Sequence, residues 1–218
     1  MNQNLFLLWA GSAVVSASTY FHAGSYNDKH SSAIVPAVAS HVLDPQYNEG
    51  VLMLETQLAA VSIATAVEKY YDDYNRLPRP ASTNSGADSE TTTEGGKGIV
   101  TILIGKEKQN EIIQNPRYTN YAGSLKPAQP NNNPKAKGAG ASAKWVNGLV
   151  FVNDNYEIVD SWGNYFKMKL DTNYDQKLDN PKADENAQGR RSLTKRVLVW
   201  SAGPDGKAET WEDNPRSW

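Results

Sequence analysis

Two acidic stretches carry the residue types and spacings that could hold a hard cation. "DTNYDQKLDNP" places Asp171, Asn173, Asp175 and Asp179 at positions 1, 3, 5 and 9 of a calcium-loop pattern. Alternate side-chain oxygens and the carbonyl of Lys177, at position 7, would surround the ion. The pattern is incomplete, because Gln176 stands where the loop wants glycine and Lys182 where a bidentate glutamate belongs. Asp184 or Glu185 could substitute only by bending the chain. The competing reading is a set of Asx turns capping a loop between strands. The second stretch closes the chain: "LVWSAGPDGKAETWEDNPRSW" runs from an apolar segment into a loop with Asp205, Glu209, Glu212 and Asp213. Disordered tails are poor in aromatics, yet tryptophans sit among these acids, so something holds this loop.

Catalytic chemistry finds little support. His22, His30 and His41 all lie in an unperiodic N-terminal part, so a Ser-His-Asp arrangement would draw its base from there. The absence of cysteine excludes disulfides, thiolate zinc sites and cysteine nucleophiles together. "GKGIV" and "IGKEK" lack the spacing of a phosphate-binding loop. Asp205 and Glu209 could imitate a glycosidase pair, with Trp200 and Trp211 as the sole candidates for a sugar platform. The expectation is a protein that is not an enzyme and has no small-molecule substrate. A net charge of -2 over 218 residues, without any basic run, argues against a nucleic-acid partner.

The elements that must position these loops follow from periodicity. Leu5 to Phe21 is apolar and shorter than the roughly 20 residues of a spanning helix, which suits a signal or an anchor. The first basic residue is Lys29, so the usual positive flank is missing; a buried helix, or a start that differs from the natural one, stays open. Residues 1–50 are set apart as an atypical N-terminal region. From Val51 to Tyr74 the period is helical, with Leu54, Leu58 and Val61 on one line and Ala60, Ile63, Ala64, Val67, Tyr70, Tyr71 and Tyr74 on the adjoining one. Asn75, Pro78 and Pro80 end that helix. Residues 80–97 read as a solvated loop, and "GIVTILIG" as a strand by propensity or a buried helical turn. "KEKQNEIIQ" reads as a second helical piece, and 126–144 as an exposed excursion. Beyond it "GLVFVND", "YEIVD", "YFKMKLD" and "RVLVW" are four runs of strand composition. Phe166, Met168 and Leu170 alternate with Lys167 and Lys169, as on an antiparallel sheet with one wet face. The fold class is α+β, a long helix laid against a small antiparallel sheet.

Four segments in order, "TAVEKYYDDYNRLP", "NPRYTNYAG", "VDSWGNYFKMKLD" and "VLVWSAGPDGKAETWEDN", resemble the major pseudopilin of type II secretion systems and its type IV pilin-like relatives. The family's aromatic helix exit is matched by Tyr70, Tyr71, Tyr74, Leu77 and Pro78. Its D-P-W-G-N-x-Y turn is matched by Asp160, Trp162, Gly163, Asn164 and Phe166, with Ser161 in place of proline, and its S-x-G-x-D-G-K ending by Ser201, Gly203, Asp205, Gly206 and Lys207. The resemblance covers about Leu58 to Trp218. Gly50 and Glu55 lie at prepilin spacing, but Glu49 precedes the glycine, Val51 replaces phenylalanine and the helix ahead of the tyrosines is too short; the spacing reads as accidental.

The resemblance implies a pilin-like globular domain over 51–218 whose terminal loop binds Ca2+. Carried over by position, the ligands would be the Ala202 carbonyl, Asp205 and one or more of Glu212, Asp213 and Asn214. It implies a structural, calcium-stabilised subunit of a type II secretion or type IV-like filament, periplasmic or at the cell surface, exported or anchored in the inner membrane through its N-terminus. The partners would be other pilin-like subunits and the secretion machinery. The alternative from another class is a secreted monomeric binding or adhesion module without filament assembly, using Trp211, Trp218 and the 126–144 loop for recognition. Trp162 and the helix-exit tyrosines read as packing residues rather than a ligand box.

Overall fold

A computed structural model of the chain describes residues 48–79, 87–108, 112–132, 144–183 and 191–218. The apolar segment from Leu5 to Phe21 and almost all of the 1–50 region lie outside them. Helix α1 spans Glu49–Tyr74, 26 residues, close to the range its period predicts. Asn48 caps it by accepting a hydrogen bond from the Gly50 N–H, and Asn75 ends it in the left-handed region at φ 48°, its N–H returning to the Tyr71 carbonyl. By length and composition α1 could also cross a membrane, although part of it is buried inside the protein.

Short strands follow: β1 (Ser89–Thr92), then helix α2 (Ile99–Leu103), β2 (Gln129–Pro130), β3 (Trp145–Val146), β4 (Gly148–Val152), β5 (Asn155–Val159), β6 (Lys167–Leu170), β7 (Leu178–Asp179), β8 (Ser192–Leu193) and β9 (Val197–Trp200). The main sheet has the order β1-β6-β9, all antiparallel, with Ser89 opposite Leu170 and Lys167 opposite Trp200. Pairs β2-β3, β4-β5 and β7-β8 stand beside it. The described residues are thus α+β, with one long apolar helix and small antiparallel sheets.

Strand β9 is buried along its whole length, and its alternation explains both sides of the sheet. Val197 and Val199 join Met168, Leu170 and Phe166 in a core completed by Ala60, Ile63, Val67 and Tyr70 of α1. Leu198 and Trp200 face the other way, into a second cluster with Leu178, Leu193, Trp211 and Trp218. The rings of Trp200, Trp211 and Trp218 lie 6.0, 6.0 and 6.3 Å apart in pairs. The terminal tryptophans therefore cover the back of β9, and that burial helps to hold the acidic loop. Trp162 is buried at 2% exposure, as a packing residue should be.

Several expectations change. Val51, Leu54, Leu58 and Val61 are 42–57% exposed, so one apolar line of α1 is packed and the other is left open. The stretch "GIVTILIG" resolves to α2, because Gly98 and Gly105, both at positive φ, bracket a single buried turn. Residues 106–108 and 112–114 are not helical, with 109–111 undescribed. Gly105 stops the chain there, and the Glu107 carboxylate accepts the Gln114 and Asn115 N–H groups at 2.7 Å each, closing a loop instead. The solvated loop over 80–97 contains β1, whose Thr91 is buried and which pairs along β6. The described part of the 126–144 excursion is pinned by the β2-β3 pair. The helix-exit tyrosines pack together, Tyr70 and Tyr74 with centroids 4.7 Å apart, and their hydroxyls donate to Gln114 O and Asn115 Oδ1 at 2.9 Å.

Candidate functional site

The terminal loop is built outward from a buried carboxylate. Asp160 is 1% exposed and accepts hydrogen bonds from Trp162 N–H at 2.8 Å, Asn164 N–H at 2.7 Å and Asn164 Nδ2 at 3.0 Å. The Ser201 hydroxyl donates to its second oxygen, and Ser201 Oγ in turn accepts the Gly203 N–H at 2.9 Å. Asn164 Nδ2 also donates to the Gly203 carbonyl at 2.9 Å. The turn after β5 and the loop after β9 are thereby fastened through one carboxyl group. Burial pushes that carboxyl up to about 6, and the four donors hold it from rising further.

Beyond this strut the loop folds on Asp205. Its Oδ1 accepts the Lys207 N–H and its Oδ2 the Thr210 hydroxyl, both at 2.8 Å, and these donors hold the exposed carboxyl below its usual range. Asn214 is 4% exposed; its amide donates to the Lys207 carbonyl at 3.1 Å, while its buried Oδ1 has no hydrogen-bond partner among the described residues. Gly203, at φ +64°, lies against this oxygen: a Cβ there would come within 3.0 Å of Asn214 Oδ1 and collide with the Asp213 carbonyl. Backbone and amide oxygens thus gather in a small cradle beside Gly203, where an unpaired buried oxygen costs about 1–3 kcal/mol.

Of the expected ligands, Asn214 and the Asp213 backbone border this cradle, Ala202 is buried beside it, and Asp205 and Glu212 are exposed. Among the described residues no group of three or more acidic or imidazole side chains is arranged to hold a metal. An ion here would rest chiefly on neutral oxygens, which calcium takes as ligands but binds more weakly than carboxylates.

The other acidic loop is organised differently. Asp171 is 1% exposed; its Oδ1 accepts the Asp175 N–H at 3.1 Å and its Oδ2 the Gln176 N–H at 2.9 Å. Asn173 Oδ1 accepts the Asp175 N–H and Asp175 Oδ1 the Lys177 N–H, each at 2.9 Å. Tyr174 and Gln176 adopt positive φ, 60° and 62°, which turns those N–H groups inward. These are the Asx turns of the competing reading. Asp179 sits in β7, exposed, 3.9 Å from Lys169 Nζ.

Two contributors were not among the expected site residues, Asp160 being read only as part of a turn. Asp160 carries the spacing of an Asx turn, accepting from the second and fourth residues onward, and that spacing was the available signal. Asp88 has no local signal: its Oδ1 is buried without a hydrogen-bond partner among the described residues, and burial first, then Asp171, Asp175 and Asp179, push its carboxyl up. Comparison with known proteins adds nothing to this picture, since no protein-family profile, no curated protein and no solved structure matches the chain.

Proposed function

We propose that this chain is a pilin-like structural subunit of a type II secretion or type IV-like filament, acting in the periplasm or at the cell surface, with a calcium-stabilised terminal loop. The observation that carries the reading is the open face of α1. Val51, Leu54, Leu58 and Val61 follow the 3-4-3 spacing of a two-helix seam, with 44, 56, 57 and 42% of their surface exposed. They stand opposite the line that packs on the sheet, and a subunit whose partners are copies of itself needs such a second face. A shallow groove of about 230 Å³ beside them, walled by Leu58, Ala59, Ser62 and Leu125, gives the same surface both a ridge and a slot. Calcium would be coordinated by the oxygens gathered at Gly203; the residues that would hold it are Asn214, Asp205, the Ala202 carbonyl and the Asp213 or Glu212 carboxylate.

Sedimentation of the full chain across a hundredfold concentration range tests the assembly. Wild type is expected to associate, and Leu54→Lys with Leu58→Lys to remain monomeric at an unchanged melting temperature, since both residues are exposed. A wild type that stays monomeric throughout would overturn the subunit reading and leave the secreted, non-assembling module in its place.

A further inference from the structure

Glu55, whose spacing from Gly50 reads as accidental, has local work on α1. Its Oε1 accepts a hydrogen bond from Lys126 Nζ at 2.8 Å, and its Oε2 accepts one from Asn147 Nδ2. A carboxylate offers acceptors alone, so the amide must turn its nitrogen toward it. One carboxylate thus holds a primary amine and a primary carboxamide side by side, separated by no more than its own width and two hydrogen bonds. Lys126 opens the 126–144 excursion and Asn147 follows its end. Asn147 is buried, whereas the Lys126 side chain is 46% exposed, so the amide is fixed and the amine on its flexible stem can swing toward it.

The backbone registers both residues. The Leu149 N–H donates to the Lys126 carbonyl at 2.9 Å and the Ala128 N–H to the Leu149 carbonyl at 2.8 Å, around a parallel bridge between Pro127 and Leu149. The two chains touch at Gly148, where a Cβ would collide with the Lys126 carbonyl. The Asn147 N–H donates to the Asp160 carbonyl at 2.7 Å, and Asn147 itself sits in the left-handed region at φ 58°, a conformation that asparagine tolerates better than most residues. An ordinary surface ion pair contributes little to stability and needs none of this registration. Here an amine is delivered to a fixed amide, and one carboxylate touches both nitrogens.

We propose that Lys126 and Asn147 join in an intramolecular isopeptide bond, with Glu55 as the catalytic proton carrier. Glu55 takes one proton from the Lys126 ammonium, and the freed Nζ lone pair attacks Asn147 Cγ, forming the new C–N bond as the carbonyl π pair moves onto Oδ1. Glu55 then returns that proton to Nδ2. The Oδ1 pair reforms the carbonyl, the Cγ–Nδ2 bond breaks with its electrons on nitrogen, and the surplus proton on Nζ leaves with the ammonia as ammonium. An ammonium and a primary amide thus become a secondary amide and ammonium, and no oxidant, reductant or co-reactant enters. A cavity of about 340 Å³ borders all three side chains and gives the released nitrogen a way out. Proximity supplies most of the rate, and the reaction need happen only once in the life of the chain. The link closes the base of the excursion beside α1, and Glu55 can then accept the new amide N–H. It forms within one chain and therefore stands independently of the assembly proposed above.

Mass spectrometry of the purified full chain, intact and after proteolysis, tests it. Wild type is expected to weigh less than its sequence by one ammonia, with the peptides carrying Lys126 and Asn147 recovered as a single linked species. Lys126→Arg, which keeps the ion pair but not the amine, and Glu55→Gln, which keeps the shape but not the proton carrier, should both show their full sequence mass and two separate peptides, with folding checked by circular dichroism. A wild type at full mass with separate peptides would overturn the proposal. So would an ammonia loss that persists in Lys126→Arg, because that marks ring closure of Asn147 on the Gly148 nitrogen instead. A linked species that still forms in Glu55→Gln would overturn the role given to Glu55.

Discussion

Asp171 and Asp205 both open an acidic loop and both accept a backbone N–H within it, yet the loops close around opposite charges. In the first, positive φ at Tyr174 and Gln176 turns N–H groups toward Asp171, so the backbone supplies the positive complement for a buried carboxylate. In the second, positive φ at Gly203 brings the chain against the Asp213 carbonyl and Asn214 Oδ1, so oxygens face inward. The number of acids is similar in the two stretches. What distinguishes a self-satisfied turn from a candidate cation cradle is which backbone groups the turn points inward.

The largest effect is expected at the strut that holds the second loop in this shape. Asp160→Ala removes the acceptor of Trp162, Asn164 and Ser201 in a closed setting and should cost about 3–5 kcal/mol. Thermal unfolding would then show a melting temperature lower by about 10 °C or more. A loss under about 1 kcal/mol would mean that the loop is held by its tryptophans alone. The same residue sets a pH dependence. Its carboxyl is about 6 when folded against 3.8 as reference, so protonation favours the native state. The contribution is fully present below about pH 4 and lost as pH rises through about 6, a change of about 3 kcal/mol. Stability measured from pH 4 to 7 should fall along that window in wild type and stay flatter in Asp160→Asn.

Calcium separates the loops directly. In excess at about a hundred times its dissociation constant, an ion that binds the folded form adds about 2.7 kcal/mol, several degrees in melting temperature. The shift is expected in wild type and in Asp175→Ala, and should vanish in Asp205→Ala and in Asn214→Ala. A shift lost in Asp175→Ala and kept in the other two would reverse the assignment. No shift in wild type would remove calcium from the proposed function.

Much of this frame was legible in the sequence. The helical period, the proline exit and the strand alternation at Phe166, Met168 and Leu170 depend on local spacing, which a sequence carries directly. The openness of the Leu54 line was not legible, because two apolar lines on one helix look alike until the sheet packs against one of them. Strand β1 was hidden for a related reason: "SETT" has no apolar pattern and becomes a strand only by pairing with β6. The calcium-loop spacing from Asp171 to Asp179 was visible, but the backbone conformation at Tyr174 and Gln176, which fills the loop with N–H groups, was not.

The smallest effects divide the first loop internally. Asp171→Ala should cost about 2 kcal/mol, since two backbone N–H groups lose a buried acceptor, and Asp175→Ala under about 1 kcal/mol, since Lys177 N–H is exposed and can turn to water. Asp171→Ala carries an offsetting gain. The Asp171 charge is one cause of the upward push on Asp88, whose Oδ1 is buried with no donor among the described residues. Removing it relieves that repulsion, so the Asp88 carboxyl followed by NMR titration should move down toward its ordinary range in Asp171→Ala. An Asp88 titration unchanged by Asp171→Ala would mean that burial, with Asp175 and Asp179, sets it, and that Asp88 and Asp171 are neighbours without electrostatic coupling.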